Sequence, residues 1–499
     1  MTKIGCCSRR FLVFPPMLIR GKEGKVRFAV RFVLLLWLSV AATGMPALAQ
    51  TFQFQHVVVI IQENRTPDNL FQGLCTKPSS CSTNPGPSQY NVQTGNWLDK
   101  TQPGGVIQPL PVPLVTAYDL DHGHPSFIKQ CDLNQATGAC TMDGAARVPC
   151  LGKCLPQPNL RFVDNSTGIL NPYLDMATQY GFANYMFQTN QGPSFPAHQF
   201  LFGGTSAPSA LDDAAGIFAS ENGTGSPTGC IAPSTITVMS VQPPGVERQR
   251  IYPCFEHNTI PDVLPARVTW KYYAASSGSI WTAPNAINHI CQPNAAVGGK
   301  CIGPEWVQNV DLRSADVLTD ISKCALRNVT WVTPTGQNSD HAATNTGGGP
   351  AWVAAIVNAI GSSGCKNPDG STYWDSTAIF LVWDDWGGWY DHEPPTILPQ
   401  PQGDYQYGFR VPMIVVSAYT RKGFIDNTRH DFGAILRFIE SNFGVVPGAL
   451  QFADARSRDS LSAFFETFRV PRPFVTIPAS LPAAYFINDR SIPTDPDND

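Results

Sequence analysis

Five short runs of β-branched, aliphatic and aromatic residues punctuate the chain, at 56–61 (HVVVII), 268–273 (VTWKYY), 329–333 (VTWVT), 377–383 (TAIFLVW) and 411–417 (VPMIVVS). Apolar runs that do not alternate predict strands buried on both faces, as in the middle of a parallel sheet. Between them, apolar positions recur at helical spacing over 171–180, 351–360 and 430–442. Strands alternating with helices predict βαβ units. The expected class is α/β, a mostly parallel central sheet flanked by helices. Segments 75–113 and 207–253 are rich in Gly, Pro, Ser, Thr and Asn, and read as loops or small β insertions. The tail 488–499, ending in PTDPDND, reads as flexible.

Two of these runs end in charge. The first passes directly into Gln62-Glu63-Asn64-Arg65, and the fourth into Asp384-Asp385 followed by Trp386-Gly387-Gly388-Trp389-Tyr390-Asp391-His392. The carboxyl ends of strands in open α/β sheets are where ligands sit. Adjacent carboxylates repel one another unless a cation or a proton lies between them, and paired oxygen ligands suit a divalent metal. The two glycines allow the backbone to turn closely beneath such a site. A solvated acidic turn would explain either motif alone; the pair together points to a metal site.

A third motif, residues 190–202 (NQGPSFPAHQFLF), places Gly-Pro before Ser194 and Pro196 just after it, a turn whose serine caps a helix. A hydroxyl there feels the positive end of the helix dipole, which suits a phosphoryl-transfer nucleophile as well as a plain capping residue. Among nine histidines, His122, His124 and His341 have acidic neighbours, as general acids and phosphate donors often do. His289 reads equally as structural, and His56 and His430 read as structural. There is no G-x-S-x-G elbow, no H-E-x-x-H and no P-loop.

Residues 1–49 resemble a secretory leader. Lys22, Lys25, Arg27 and Arg31 precede an apolar stretch at 32–40, and Ala47-Leu48-Ala49 forms a small-x-small cleavage site. Met17 is an alternative start, and Ser8-Arg9-Arg10-Phe11-Leu12 a faint twin-arginine signal. Either route implies a secreted or periplasmic protein without a permanent membrane span, with residues 50–487 as a single catalytic domain. Cysteine usage agrees: 14 in all, of which Cys6 and Cys7 lie in the leader. The remaining 12 fall mostly in near neighbours, Cys75/Cys81, Cys131/Cys140, Cys150/Cys154, Cys230/Cys254 and Cys291/Cys301, with Cys324 and Cys365 left over. This even count fits disulfides that staple surface loops, with the pairing itself left open. The leader carries 8 Lys/Arg and one acidic residue, so the chain's 34 basic and 38 acidic groups become 26 against 37 after its removal, a net of −11. Such an acidic protein is a poor partner for nucleic acid.

Taken together, the motifs resemble the bacterial phosphoesterases that include phosphatidylcholine-type phospholipases C and a secreted acid phosphatase, proteins of alkaline-phosphatase-like fold. QENRTPDNLF is similar to their opening E-N-R-[ST]-x-D-x-x-F motif, and DLDHGH, GPSFPAHQFLFGGTS, SDHAA, WDDWGGWYDHEPP, YGFRVPMIVVSAY and ILRFIE follow in order. The resemblance implies that Glu63, Asn64, Asp384 and Asp385 hold one divalent metal ion of unknown identity. It implies that Ser194 is the nucleophile, its oxygen also on the metal, and that His122, His341 and His289 surround the phosphate. A phosphoseryl intermediate would follow. The phospholipase branch often has Asp-Glu-His where Asp384-Asp385-Trp386 stands, and Thr at the position of Ser194; both differences favour the acid phosphatase type. The leading expectation is an exported, metal-dependent phosphoric-ester hydrolase acting on a small phosphomonoester. The alternatives are a phospholipase C acting on phospholipid head groups, for which Trp374, Trp383, Trp386 and Trp389 could line a lipid-facing cleft although most read better as core, and a binding protein that keeps the fold without the chemistry.

Overall fold

The computed structural model describes residues 54–494 except 77–79, 135, 296–297, 396–406 and 467, so the leader and its export signals lie outside the described residues. The central sheet is built from β1 (His56–Gln62), β2 (Gly181–Phe187), β3 (Trp270–Tyr273), β4 (Val310–Asp311), β5 (Val329–Val332), β6 (Thr377–Trp383), β7 (Arg410–Val411), β8 (Met413–Val416) and β9 (Phe424–Asp431). Their order across the sheet is β4-β3-β5-β1-β6-β8-β2-β7, with β9 also paired to β2. β1 lies parallel between β5 and β6, and pairs with β6 along its whole length, from His56↔Thr377 to Gln62↔Trp383. Every residue of both strands is buried, which is why their sequences do not alternate.

The main helices are α1 (His124–Cys131), α2 (Asn171–Gln179), α3 (Ser194–Gly203), α4 (Gly349–Gly361) and α5 (Phe432–Asn442). α2 packs with α4, and α3 with α5. Their apolar residues, among them Phe200, Leu201, Trp352, Ile356, Ile435 and Ile439, join the strands in one large core. This is the expected α/β arrangement. Among the described residues no helix is long and apolar enough to cross a membrane.

The run at 411–417 departs from expectation. It forms two short strands, β7 and β8, broken at Pro412, which has no N–H to donate to a ladder. β8 also runs antiparallel to both β6 and β2, so the sheet is mixed. The helix expected from residue 430 begins at Phe432, because His430 and Asp431 complete β9. Segment 207–253 contributes the three-stranded insertion Phe218–Ala219, Val238–Gln242 and Val246–Ile251. Beyond α5, the chain's last described residues are largely exposed, and Gln337 Nε2 donates to the Ile492 carbonyl at 2.9 Å.

All twelve cysteines in the described residues are paired: Cys75–Cys81, Cys131–Cys140, Cys150–Cys154, Cys230–Cys254, Cys291–Cys301 and Cys324–Cys365. They do more than staple surface loops. Cys131, Cys230, Cys291, Cys301 and Cys365 are buried, so these bridges anchor the insertions into the core.

His430, at the end of β9, is held between two carboxylates, with Nε2 3.2 Å from Asp426 and Nδ1 2.9 Å from Asp459. Burial opposes its charge, but the two carboxylates overcome this and raise its pKa above the ordinary value. The folded protein thus holds this proton more tightly than the unfolded chain does. The resulting stabilisation is complete below the unfolded value of about 6.5 and is lost as pH rises through the folded value. The melting temperature of the wild type should exceed that of His430→Gln by a margin that shrinks as pH is raised into the alkaline range, measured by circular dichroism. A margin that does not change with alkaline pH contradicts the assignment.

Candidate active site

Because β1 and β6 are adjacent and in register, the residues that follow them leave the sheet side by side. The ladder continues one step past the strands: Asp384 N–H donates to the Gln62 carbonyl at 3.0 Å, and Asn64 N–H donates to Asp384 Oδ1 at 3.0 Å. Asn64 adopts a left-handed backbone (φ 59°), a conformation asparagine tolerates better than most residues. Gly387 (φ 60°) passes so close beneath that a Cβ there would lie 2.5 Å from the Asn64 carbonyl oxygen. Glu63, Asn64, Asp384 and Asp385 are all fully buried.

The third contribution comes from α3. Pro193 occupies the cap position and Ser194 opens the first turn, so the serine is not the expected capping residue. Instead Asn222 Oδ1 accepts the Phe195 N–H at 2.9 Å, and the serine hydroxyl is left to donate to Asp385 Oδ2 at 3.1 Å. One helical turn later, on the same face, His198 sets Nε2 at 3.3 Å from Glu63 Oε1 and 3.7 Å from Asp384 Oδ2. His198 was not anticipated as a site residue. The signal for it was the four-residue spacing from Ser194 inside a run otherwise apolar enough to read as core.

Two more imidazoles close the site. His122 Nδ1 bonds the Leu120 carbonyl at 2.7 Å, an arrangement that places its proton there and leaves Nε2 to accept from Asn64 Nδ2 at 2.9 Å. That Nε2 lies 4.0 Å from Asp385 Oδ2. His341 Nδ1 bonds the Ala342 carbonyl at 2.7 Å, and its ring centre is 5.8 Å from that of His122. His289 is placed differently. Its nitrogens face Glu256 (2.7 Å) and Asp262 (3.3 Å) in a half-exposed ion-pair cluster, where the hydrogen bond to Asp262 and then that to Glu256 push its pKa up to about 9 against burial. Those carboxylates, and not the group around Ser194, are its partners. The spacing of His289 in the sequence carries no sign of this, because Glu256 and Asp262 reach it through tertiary packing.

Behind the site, Arg65 directs its guanidinium away from the carboxylates. It donates to the Asp340 carbonyl at 2.9 and 2.6 Å and to the Leu114 carbonyl at 3.1 Å, and lies over the Trp389 ring. Asp340 in turn accepts from Tyr173 (2.9 Å) and Trp383 (3.1 Å), while burial lifts its carboxyl to about 6.

The donor set fits a divalent cation. Three carboxylates gathered without solvent repel one another unless positive charge or protons intervene. Asn64 Oδ1 and Asp384 Oδ2, both fully buried, have no hydrogen-bond donor. Ligand atoms of Glu63, His198 and Asp384 lie within 4.8 Å of one another. Two other carboxylate–histidine groups in the described residues are internal ion pairs: Asp68 and Asp391 hold Arg410 while His392 pairs with Asp68, and Asp426 and Asp459 hold His430.

Comparison with known proteins decides the affiliation, since the Phosphoesterase family profile matches residues 54–446. The chain belongs to the Phosphoesterase family. Its curated relatives include a non-hemolytic phospholipase C of Burkholderia pseudomallei, 30% identical over 37% of this chain and 32% of that protein. They also include a non-hemolytic phospholipase C of Pseudomonas aeruginosa (25% identical, 44% of this chain, 34% of that one) and phospholipase C A of Mycobacterium tuberculosis (27%, 42% and 44%). These matches span about a third to less than half of the relatives' length. More distant likenesses extend to a solved alkaline phosphatase superfamily protein of Vibrio parahaemolyticus, 10% identical over 56% of this chain and 61% of that one, with a TM-score of 0.29.

The close approach of Gly387 to Asn64 gives a direct test of how the site is braced. Gly387→Ala must strain a left-handed backbone and push Asn64 aside, at a cost of about 1–3 kcal/mol. Urea denaturation should show this loss of stability, together with weakened divalent-metal affinity. A variant as stable as the wild type and equally able to bind metal contradicts the bracing.

Proposed function

We propose that this phosphoesterase is an exported, metal-dependent phosphoric-ester hydrolase that works through a phosphoseryl intermediate. The observation that carries the reading is the approach of Ser194 Oγ to within 3.1 Å of Asp385 Oδ2, beside carboxylates from two adjacent strand ends. Glu63, Asn64, Asp384, Asp385 and Ser194 would hold the cation. When bound, it would offset the carboxylate charge and favour the serine alkoxide over the alcohol. Ser194 attacks phosphorus in line and its proton has an acceptor in Asp385; the ester's alcohol departs and takes up a proton. Water then cleaves the seryl phosphate, releasing phosphate and restoring the hydroxyl. His341, with Nδ1 fixed on a backbone carbonyl, would steady the charge that develops on the phosphoryl oxygens as an imidazolium, through its other nitrogen. His122, whose Nε2 accepts from Asn64 Nδ2 in the resting site, would join it once that contact is released and the nitrogen carries a proton. The six disulfides favour an oxidising compartment, in keeping with export.

Substrate choice has two readings. Asp384-Asp385 and a serine nucleophile favour a small phosphomonoester. The likeness to phospholipases C supports an ester with an apolar part, such as a phospholipid, and a cavity of about 360 Å³ that no residue of the proposed site lines would be the place for that part. It is lined by Phe127, Ile128, Phe200, Phe218, Val241 and Tyr407, and it reaches His124, two residues from His122, and Gln191, three from Ser194. Assays of p-nitrophenyl phosphate and phosphatidylcholine separate them, by release of free phosphate or of diacylglycerol.

Turnover of whichever ester is accepted should stop on chelation and return with added divalent metal. Ser194→Ala should lower kcat by at least ~10³-fold, while the protein still takes up metal through Glu63, Asn64, Asp384 and Asp385, more weakly for the loss of one ligand. Full activity in Ser194→Ala contradicts the nucleophile. Metal binding without turnover of any ester would instead favour a binding protein built on this fold.

A further inference from the structure

Resting on the cation reading above, we infer that His198 is a ligand of the same ion, so that the site selects a first-row transition metal over magnesium or calcium. The argument is geometric. His198 Nε2 stands 3.3 Å from Glu63 Oε1 and 3.7 Å from Asp384 Oδ2, with all three side chains fully buried. A buried imidazolium serving as plain countercharge would close on one carboxylate to about 2.7–2.9 Å. These separations are longer and shared between two carboxylates. They are close to the spacing of about 3.0–3.4 Å between neighbouring donors that each lie about 2.1 Å from one ion.

The other side of the ring supports the same role. Tyr272 donates its hydroxyl proton to the Trp281 carbonyl at 2.7 Å, which turns an oxygen lone pair toward His198 Nδ1, 3.5 Å away. A proton on Nδ1 is thereby favoured and Nε2 is left as the donor atom, the outer-sphere arrangement that orients metal-bound histidines. Trp281 lies nearly parallel to the imidazole (26°, centroids 6.4 Å apart) and limits its rotation. Carboxylate, amide and hydroxyl oxygens alone suit magnesium, calcium or manganese; an imidazole nitrogen added to them moves preference toward zinc, iron and their neighbours.

The test uses the whole protein, stripped by chelator and reloaded with manganese(II) as a spectroscopic probe. Electron spin-echo modulation should show one directly bound imidazole nitrogen in the wild type, and this signal should vanish in His198→Gln. In parallel, titration calorimetry should show His198→Gln losing at least roughly tenfold in zinc affinity, with magnesium affinity little changed. Manganese bound through oxygen alone in the wild type, or a nitrogen signal that survives in His198→Gln, overturns the inference and leaves the cation reading intact. Failure of the wild type to bind stoichiometric metal overturns both. The wild-type spectrum decides the matter even if the variant does not fold.

Discussion

The structure depends on one pairing, the parallel ladder between β1 and β6. Both strands are apolar on both faces and lie in the middle of the sheet, so neither can slide without unmaking a full row of buried contacts and hydrogen bonds. Their register ends them at the same height, and the next residues, Glu63 and Asp384, emerge as neighbours. The pairing therefore costs electrostatic energy at one end of the sheet, where carboxylates meet in a desolvated setting. A cation placed there, as proposed above, would convert that penalty into binding energy.

Much of the surrounding sequence can be understood as bracing for this junction. Arg65 spends its donors on backbone carbonyls of the Asp340 and Leu114 loops, holding them against the turn that carries Glu63 and Asn64. Arg410 grips Asp391 through two contacts, at 3.0 and 2.9 Å, and reaches Asp68, which also accepts from His392 at 2.7 Å. That network, buried but for the partly exposed His392, fastens the loop after β6 to the short helix Pro67–Leu70 that follows β1. Gly387 and Gly388 let the same loop pass against Asn64 and Leu120. Rigid support of this kind keeps ligand positions fixed when charge in the site changes.

Elements buried on both faces were legible because their apolar runs leave no side for solvent, with the absence or presence of helical spacing separating strands from helix. β1 and β6 were read almost to the residue, as was α4. β2 and β9 were not. β2 (GFANYMF) begins with glycine and carries Asn184, whose amide is satisfied by the Gln89 carbonyl and Asn427, partners that only folding supplies. β9 (FIDNTRHD) is mostly polar and is a strand because β2 offers it an edge. β8 followed its apolar pattern, but its antiparallel direction depends on where the chain re-enters the sheet, which periodicity does not encode.

The site divides along the same line. Local sequence alone determined that carboxylates follow two buried strands and that a helix starts beside the serine after Gly-Pro, since backbone preference and hydrophobic period are properties of a few neighbouring residues. It nevertheless read Ser194 as the cap that Pro193 turns out to be. Tertiary structure decided which of these groups meet. It turned Ser194 away from its own helix backbone toward Asp385 by letting Asn222 take the free N–H, aimed His198 at Glu63 and Asp384, and assigned His289 to Glu256 and Asp262. Side-chain chemistry is carried by single residues, but proximity between positions hundreds of residues apart is set by strand order and register, and those exist only once the sheet has formed.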